Sequence, residues 1–239
     1  ADGFVAQNEQ IGHRLNAMDG ALGNLQSVAE RFRNLLVQRL DASTGSSVPL
    51  AAEAGQMLDE VAAQLNLKLD DRYLFAGTRT DAPPVVLPTP PPTASDPTLY
   101  YRGDSVALAV RADEGVELPY GVTADETVFA DLIGALGSAQ AADPANDRPA
   151  LEAALAQADQ VVEGLAAKRG EVATTARHLE SITESQRGSV LYLDGIVSDL
   201  EDTDLPAAIS RIATDSAALE ATYLTISRLK DLSLADYLR

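Results

Sequence analysis

Apolar positions organise this chain into long helical stripes. Ile11, Leu15, Met18, Leu22, Leu25, Ala29, Phe32 and Leu36 recur at alternating steps of four and three, which places them on one face of an α-helix. Turn chemistry in Asp41-Ala42-Ser43-Thr44-Gly45-Ser46-Ser47-Val48-Pro49 stops that helix. A second stripe then runs through Leu50, Ala54, Met57, Leu58, Val61 and Leu65 toward Leu69. Val128, Leu132 and Leu136 predict a helix over 125–140.

The longest stripe starts at Leu151 and continues through Leu155, Ala158, Val162, Leu165, Arg169, Val172, Ala176, Leu179, Thr183, Gln186, Val190, Leu193, Val197 and Leu200. No proline lies between Pro149 and Pro206, so nothing in the stretch breaks a helix. Such a helix would be about 80 Å long, and heptad spacing sustained over that length predicts coiled-coil packing. Asp204 is placed to cap one further helix, with Pro206 in its first turn. That helix carries Ile209, Ile212, Leu219, Tyr223, Ile226 and Leu229 and leads to an apolar end, Leu232-Ser233-Leu234-Ala235-Asp236-Tyr237-Leu238-Arg239.

Between these helical blocks the pattern changes. Seven of the twelve prolines lie between Pro83 and Pro97, where the chain can neither continue a helix nor donate to a ladder. This stretch reads as an extended linker. Beyond it, short runs around Ser105-Val106-Ala107-Leu108-Ala109-Val110-Arg111 and Val116-Glu117-Leu118 are punctuated by Arg102-Gly103-Asp104 and Asp113-Glu114-Gly115, as hairpins would be. Residues 81–123 are therefore expected to form a proline-rich linker and a small β-rich insertion.

Charge and chemistry narrow the function. The 239 residues include 18 Lys+Arg against 36 Asp+Glu, a formal charge of −18, and no basic cluster of the kind that binds a nucleic-acid backbone. Cysteine is absent and the two histidines, His13 and His178, stand apart, so thiolate chemistry, disulfides and Cys-based zinc sites are excluded. No GxSxG motif or phosphate-cradling glycine loop appears. No run is long and apolar enough to cross a bilayer, and 1–30 lack a secretory leader pattern. The expectation is a chain with no enzymatic activity, no cofactor, no metal, no nucleic-acid partner and no membrane span.

Six segments carry a family resemblance. Tyr73-Leu74-Phe75-Ala76-Gly77-Thr78-Arg79-Thr80-Asp81-Ala82-Pro83-Pro84, following a helical pair, resembles the signature of the flagellar hook-associated protein 3 family, the hook–filament junction proteins related to flagellin. Val128-Phe129-Ala130-Asp131-Leu132-Ile133-Gly134-Ala135-Leu136 and Ala167-Lys168-Arg169-Gly170-Glu171-Val172 resemble that family's later rod helices. Asp202-Thr203-Asp204-Leu205-Pro206-Ala207-Ala208-Ile209, Ala218-Leu219-Glu220-Ala221-Thr222-Tyr223 and 232–238 resemble the C-terminus it shares with flagellin.

The resemblance implies a mainly α fold: an elongated antiparallel helical rod of flagellin type (1–80 and 124–204), the 81–123 insertion facing outward, and a C-terminal assembly helix (205–239). It implies a secreted structural subunit of the extracellular bacterial flagellum, joining the hook, through a neighbouring hook-associated protein, to the flagellin filament. Copies would form a ring, and a flagellar secretion chaperone is a further partner. Because the sequence starts at Ala1, the N-terminal segment that pairs with the C-terminal helix in that family is expected to be missing. The alternative is a short flagellin that forms the filament itself.

The candidate site is an assembly interface made of Ile209, Ile212, Leu219, Tyr223, Ile226, Leu232, Leu234, Tyr237 and Leu238. Each such side chain contributes about 1.5 to 3 kcal/mol when buried, so a stripe of them in water needs a cover. Other features have plainer readings. Arg102-Gly103-Asp104 matches an adhesion tripeptide but also a turn between strands. Arg169, Thr183 and Gln186 interrupt the long stripe either as polar register-setters or as contacts to another subunit. Asp70 with Asp71, and Glu201 with Asp202 and Asp204, read as solvated helix ends, since nothing apolar nearby would shift a pKa.

Overall fold

Helix α1 spans Asp2–Leu40, starting nine residues ahead of the first stripe, and every member of that stripe is buried. Helix α2, Leu50–Leu65, buries Leu50, Ala54, Met57, Leu58, Val61 and Leu65. Helix α3 covers Thr127–Ala145, helix α4 Arg148–Glu201 and helix α5 Leu205–Asp231. The computed structural model describes residues 2–43, 45–201 and 205–231. The chain divides into two units, Ala1–Arg187 and Gly188–Arg239, so the fold is mainly α with two small antiparallel hairpins, β1 (Lys68–Leu69) with β2 (Arg72–Tyr73) and β3 (Ala109–Asp113) with β4 (Val116–Pro119).

In the first unit the helices alternate in direction. Arg31 pairs with Glu60, and Asn24 Nδ2 donates to Gln64 Oε1 at 3.1 Å, which sets α2 antiparallel to α1. The α4 helix also runs antiparallel to α1: Arg148 donates to the Leu40 carbonyl at 3.2 Å, Arg33 pairs with Asp159, Arg169 with Asp19 and Arg187 with Glu9. Between them a single core collects Leu151, Ala154, Ala158, Val161, Leu165, Val172 and Leu179 of α4 with the α1 and α2 stripes. Leu155, Val162 and Ala176 lie half-buried at its margin, so the inward member of the Val161-Val162 pair is the first.

Helix α3 has a different pattern for a physical reason. Phe129, Ala130, Leu132, Ile133, Ala135, Leu136, Ala139 and Ala142 are all buried, so it is apolar nearly all round rather than striped, as expected of a helix covered on several sides. Part of that cover is the proline-rich stretch. Ser138 Oγ donates to the Thr93 carbonyl at 2.8 Å, and Gln157 Nε2 donates to Ser95 Oγ at 2.6 Å. A Cβ at Gly137 would overlap the Pro92 carbonyl oxygen, so glycine is what lets the backbones approach this closely. The stretch read as a linker is extended but is a strap laid along α3. Val85, Tyr100, Val110, Ala112, Tyr120 and Val122, all within 81–123, share the bundle's core.

Helix α2 stops at Leu65 rather than reaching Leu69. The Asn66 side chain turns away to hold Val85 at both polar groups, donating to its carbonyl at 2.8 Å and accepting from its N–H at 2.9 Å. Asp70 and Asp71 then adopt positive φ, 52° and 59°, closing the β1–β2 hairpin by a two-residue turn that Asp tolerates.

Polar pins fix the register where apolar packing alone would allow sliding. Asp143 accepts from Arg39 at 2.6 Å and from the Ala51 N–H, in the first turn of α2, at 3.0 Å. One carboxylate thus joins the ends of α1 and α3 and caps α2 from outside that helix, where its charge also meets the positive end of the helix dipole. At the other end Asn8 and Gln186 both donate to the Ala112 carbonyl, at 2.9 and 2.8 Å, and Asn8 donates to Gln186 at 3.2 Å. Gln186 and Arg169 therefore set register within this chain, and Thr183 bonds back to the Leu179 carbonyl at 2.8 Å.

The two kinds of ion pair should differ in worth. Asp143→Ala is expected to lower unfolding free energy by about 2 kcal/mol, from the lost cap and the unpaired Arg39. Asp159→Ala, at a pair about half exposed on each side, should cost less than about 0.5 kcal/mol. Urea denaturation of the two variants beside the parent chain measures the difference, and equal losses would contradict it.

Candidate assembly surface

Among the described residues of the second unit are exposed apolar side chains. Helix α5 opens with Pro206 near its start, where a missing N–H costs little, and ends with Arg228 and Lys230 against its negative pole. Ile209, Ile212, Leu219, Tyr223 and Ile226 follow steps of three, seven, four and three, which at 100° per residue puts them on one face. All five are more than half exposed, from 54% at Ile226 to 67% at Tyr223. Thr214, Thr222 and Thr225 return their hydroxyls to the Ser210, Ala218 and Ala221 carbonyls at 2.7 to 2.8 Å. Thr214 and Thr225 sit on the opposite face and Thr222 at the flank of the stripe, each hydroxyl satisfied within the helix.

The C-terminal part of α4 is similar. Leu193, Ile196, Val197 and Leu200 continue the stripe that is buried up to Gln186, yet they are exposed, Leu200 to 81%. The coiled-coil reading of the whole stripe thus holds for 151–186 and not beyond. Leu191 and Tyr192 at the end of α4, and Leu224 and Leu229 on α5, are exposed large apolar residues as well. Leu191, Tyr192 and Leu224 were absent from the site read from sequence because they lie off the stripes, and the end of α4 because its stripe was assigned to a core; Leu229 was read on the α5 stripe but not included in the site. Of the nine residues named there, the structure describes Ile209, Ile212, Leu219, Tyr223 and Ile226. Leu232, Leu234, Tyr237 and Leu238 lie outside the described residues, as do Asp202 and Asp204.

The 73–84 segment has a structural job in the first unit. Leu74, Phe75 and Ala76 are buried, and Phe75 packs edge-on against Phe129 with ring centroids 6.2 Å apart. The Phe75 carbonyl accepts from the Ala124 N–H at 2.9 Å just ahead of α3. Gly77 turns the chain at φ 68°, a conformation that disfavours side chains. Thr78 then binds Asp104 through its hydroxyl and through its N–H, the latter at 3.0 Å. Those two bonds, the hydroxyl's the larger, hold the Asp104 carboxyl below its ordinary pKa. Asp104 also accepts from the Val106 N–H at 3.1 Å, so the acid of Arg102-Gly103-Asp104 is engaged in its own turn. Nearby, Tyr100 is fully buried and donates to the Ala124 carbonyl at 2.9 Å, and burial pushes its phenol pKa up.

His13 and His178 are exposed and on different helices. Among the described residues no group of three or more His, Cys, Asp or Glu is placed to hold a metal ion, and no helix is long and apolar enough to cross a membrane. Asp70 and Asp71 are exposed at their hairpin turn.

The first unit is an alternating helical bundle whose core takes in a proline-rich strap and a β-hairpin, and the described part of the second unit is helical with exposed apolar residues, which defines a class of mainly α folds. Within that class the fold is that of flagellar hook-associated protein 3, FlgL. The chain is similar to Bacillus cereus FlgL with a TM-score of 0.62 at 19% identity, covering 77% of this chain and 96% of that one. It is similar to Legionella pneumophila flagellar hook associated protein-3 with a TM-score of 0.65 at 13% identity, covering 83% and 95%. Xanthomonas campestris FlgL gives a TM-score of 0.64 at 13% identity, covering 82% and 96%. No family model matches the sequence and no curated protein matches it, so the likeness rests on the fold.

Exposure sets the expected effect of substitution. Leu219→Ser and Tyr223→Ser should leave the unfolding free energy of the isolated chain within about 0.5 kcal/mol of the parent, as surface changes do. Leu22→Ala, in the α1 core, should cost about 2 to 5 kcal/mol. Calorimetric melting of the three variants checks this, and early melting of the α5 variants would mean that α5 is covered in the isolated chain.

Proposed function

We propose that this chain is a structural subunit of the bacterial flagellum at the junction between hook and filament, assembled through its terminal helices. The observation that carries the reading is the FlgL fold, which extends over most of the chain and nearly all of the structures it resembles. The exposed apolar faces of α5 and the end of α4 support it, because a stripe that costs free energy in water is stabilised once another chain covers it. On this reading Ile209, Ile212, Leu219, Tyr223 and Ile226, continued by Leu232, Leu234, Tyr237 and Leu238, are buried only in the assembly. Flagellin on one side and a neighbouring hook-associated protein on the other are the partners, copies of the chain complete a ring, and a secretion chaperone shields the apolar helix before export. The protein then works outside the cell as part of the axial structure, and its role is mechanical rather than catalytic.

A deletion strain tests this. Loss of the gene should leave hooks intact while flagellin subunits appear in the medium, and the full-length gene should restore filaments. Hooks without any filament subunit in the medium or on the cell would identify the chain as a short flagellin.

A further inference from the structure

Helix α4 runs unbroken from Arg148 to Glu201, yet both its surroundings and its composition change after Arg187. Arg187, paired with Glu9, is the last residue of the first unit. Beyond it none of 188–200 is buried, so the helix there rests on its own backbone hydrogen bonds, and an isolated stretch of this length is marginal in water even for good helix formers. These are poor ones. Ala, Leu, Arg, Met, Lys, Gln and Glu, the strong formers, supply 24 of the 37 residues of 151–187 but 4 of the 14 residues of 188–201. On α5 they supply 9 of the 14 residues of 217–230. In their place 188–201 carries the β-branched Val190, Ile196 and Val197 and two glycines, Gly188 and Gly195, which weaken a helix. A glycine that serves packing leaves no room for a Cβ, as at Gly137, whereas a Cβ at Gly188 or Gly195 would meet nothing within 4 Å. Alanine fits at both positions, so what these glycines do within the chain is lower the stability of the helix. Gly170 is equally open, but it lies between Arg169, which pairs with Asp19, and Val172 of the core, where tertiary contacts hold the helix.

We infer that 188–201 is a joint, a stretch of α4 that passes between helix and coil while the first unit stays folded and α5 stays helical. The weak stretch lies between two stronger ones, so opening is confined to it and does not spread into the bundle. Apolar surface carried beyond such a joint can adjust to whatever covers it without straining the core. The inference rests on helix propensity and open space in this chain, and it is measurable on the purified protein whether or not the flagellar role holds.

The test is limited digestion of the full chain with chymotrypsin, with the cuts placed by mass spectrometry, because a protease needs a locally unfolded segment. Tyr192 and Tyr223 form a matched pair: each precedes a leucine, and they are 70% and 67% exposed, so exposure alone predicts equal cutting. The joint predicts that the bond after Tyr192 is cut about tenfold faster than the bond after Tyr223. Replacing both glycines, Gly188→Ala with Gly195→Ala, should slow the cut after Tyr192 by about tenfold, leaving the cut after Tyr223 and the melting temperature of the first unit as in the parent. Gly170→Ala should change neither cutting rate. Cutting after Tyr192 that is no faster than after Tyr223, or no slower in the double variant than in the parent, would overturn the joint. Earlier melting of the double variant would overturn it as well, since it would show that the glycines serve packing.

Discussion

The antiparallel seam between α1 and α4 is the constraint on which the first unit depends. Two long helices whose apolar positions repeat every three and four residues bury their stripes in one core shared with α2 and α3, and polar contacts from end to end hold α1 and α4 antiparallel. Once they do, α2 and α3 have one place to go, along the half of the seam that still exposes apolar surface, and the strap and hairpin close what remains. Hydrophobic burial sets this arrangement but not its register, because a stripe of similar side chains fits nearly as well one turn away. Register comes from the pins at either end, Asp143 with Arg39 and the α2 terminus, and Asn8 with Gln186 on the Ala112 carbonyl.

Those pins also mark where coverage ends. Gln186 is buried, whereas Leu191, Leu193 and Leu200, on the same helix, are exposed. The sequence pattern does not change there, only the supply of partners does. An apolar stripe that continues past the bundle's cover leaves apolar surface in water, and that surface is what the proposed assembly would bury.

What could be read from sequence follows from this. The α1 and α2 stripes were legible residue by residue, because each helix has one buried face and periodicity reports faces. Helix α3 was only partly legible: a helix covered on several sides has no stripe, and Gly134 and Gly137, the sign of a backbone passing close by, carry no periodicity. The proline rule kept α-helix and extended strand out of 83–97, although Val85 makes one isolated bridge with Tyr101 and a 3-10 turn starts at Pro97, and it is silent on packing, so a strap looked like a linker. Asp104 shows the converse, a motif that invites a functional reading until its carboxylate is found bonded to Thr78 and Val106. On α5, spacing placed five of the candidate residues on one face and the structure leaves them exposed, but no pattern could say that the end of α4 shares that exposure, since a covered stripe and a bare one have the same sequence.

Hydrogen–deuterium exchange of the isolated chain, resolved by segment, tests the central claim most directly. Backbone amides in the bundle should open only with global unfolding, whereas those of a helix without tertiary cover open locally and early. Strong protection is expected over 11–36, 50–65, 128–142 and 151–186, with protection lower by orders of magnitude over 191–230. Equal protection across both regions would show that α5 and the end of α4 are already packed, and would contradict the account.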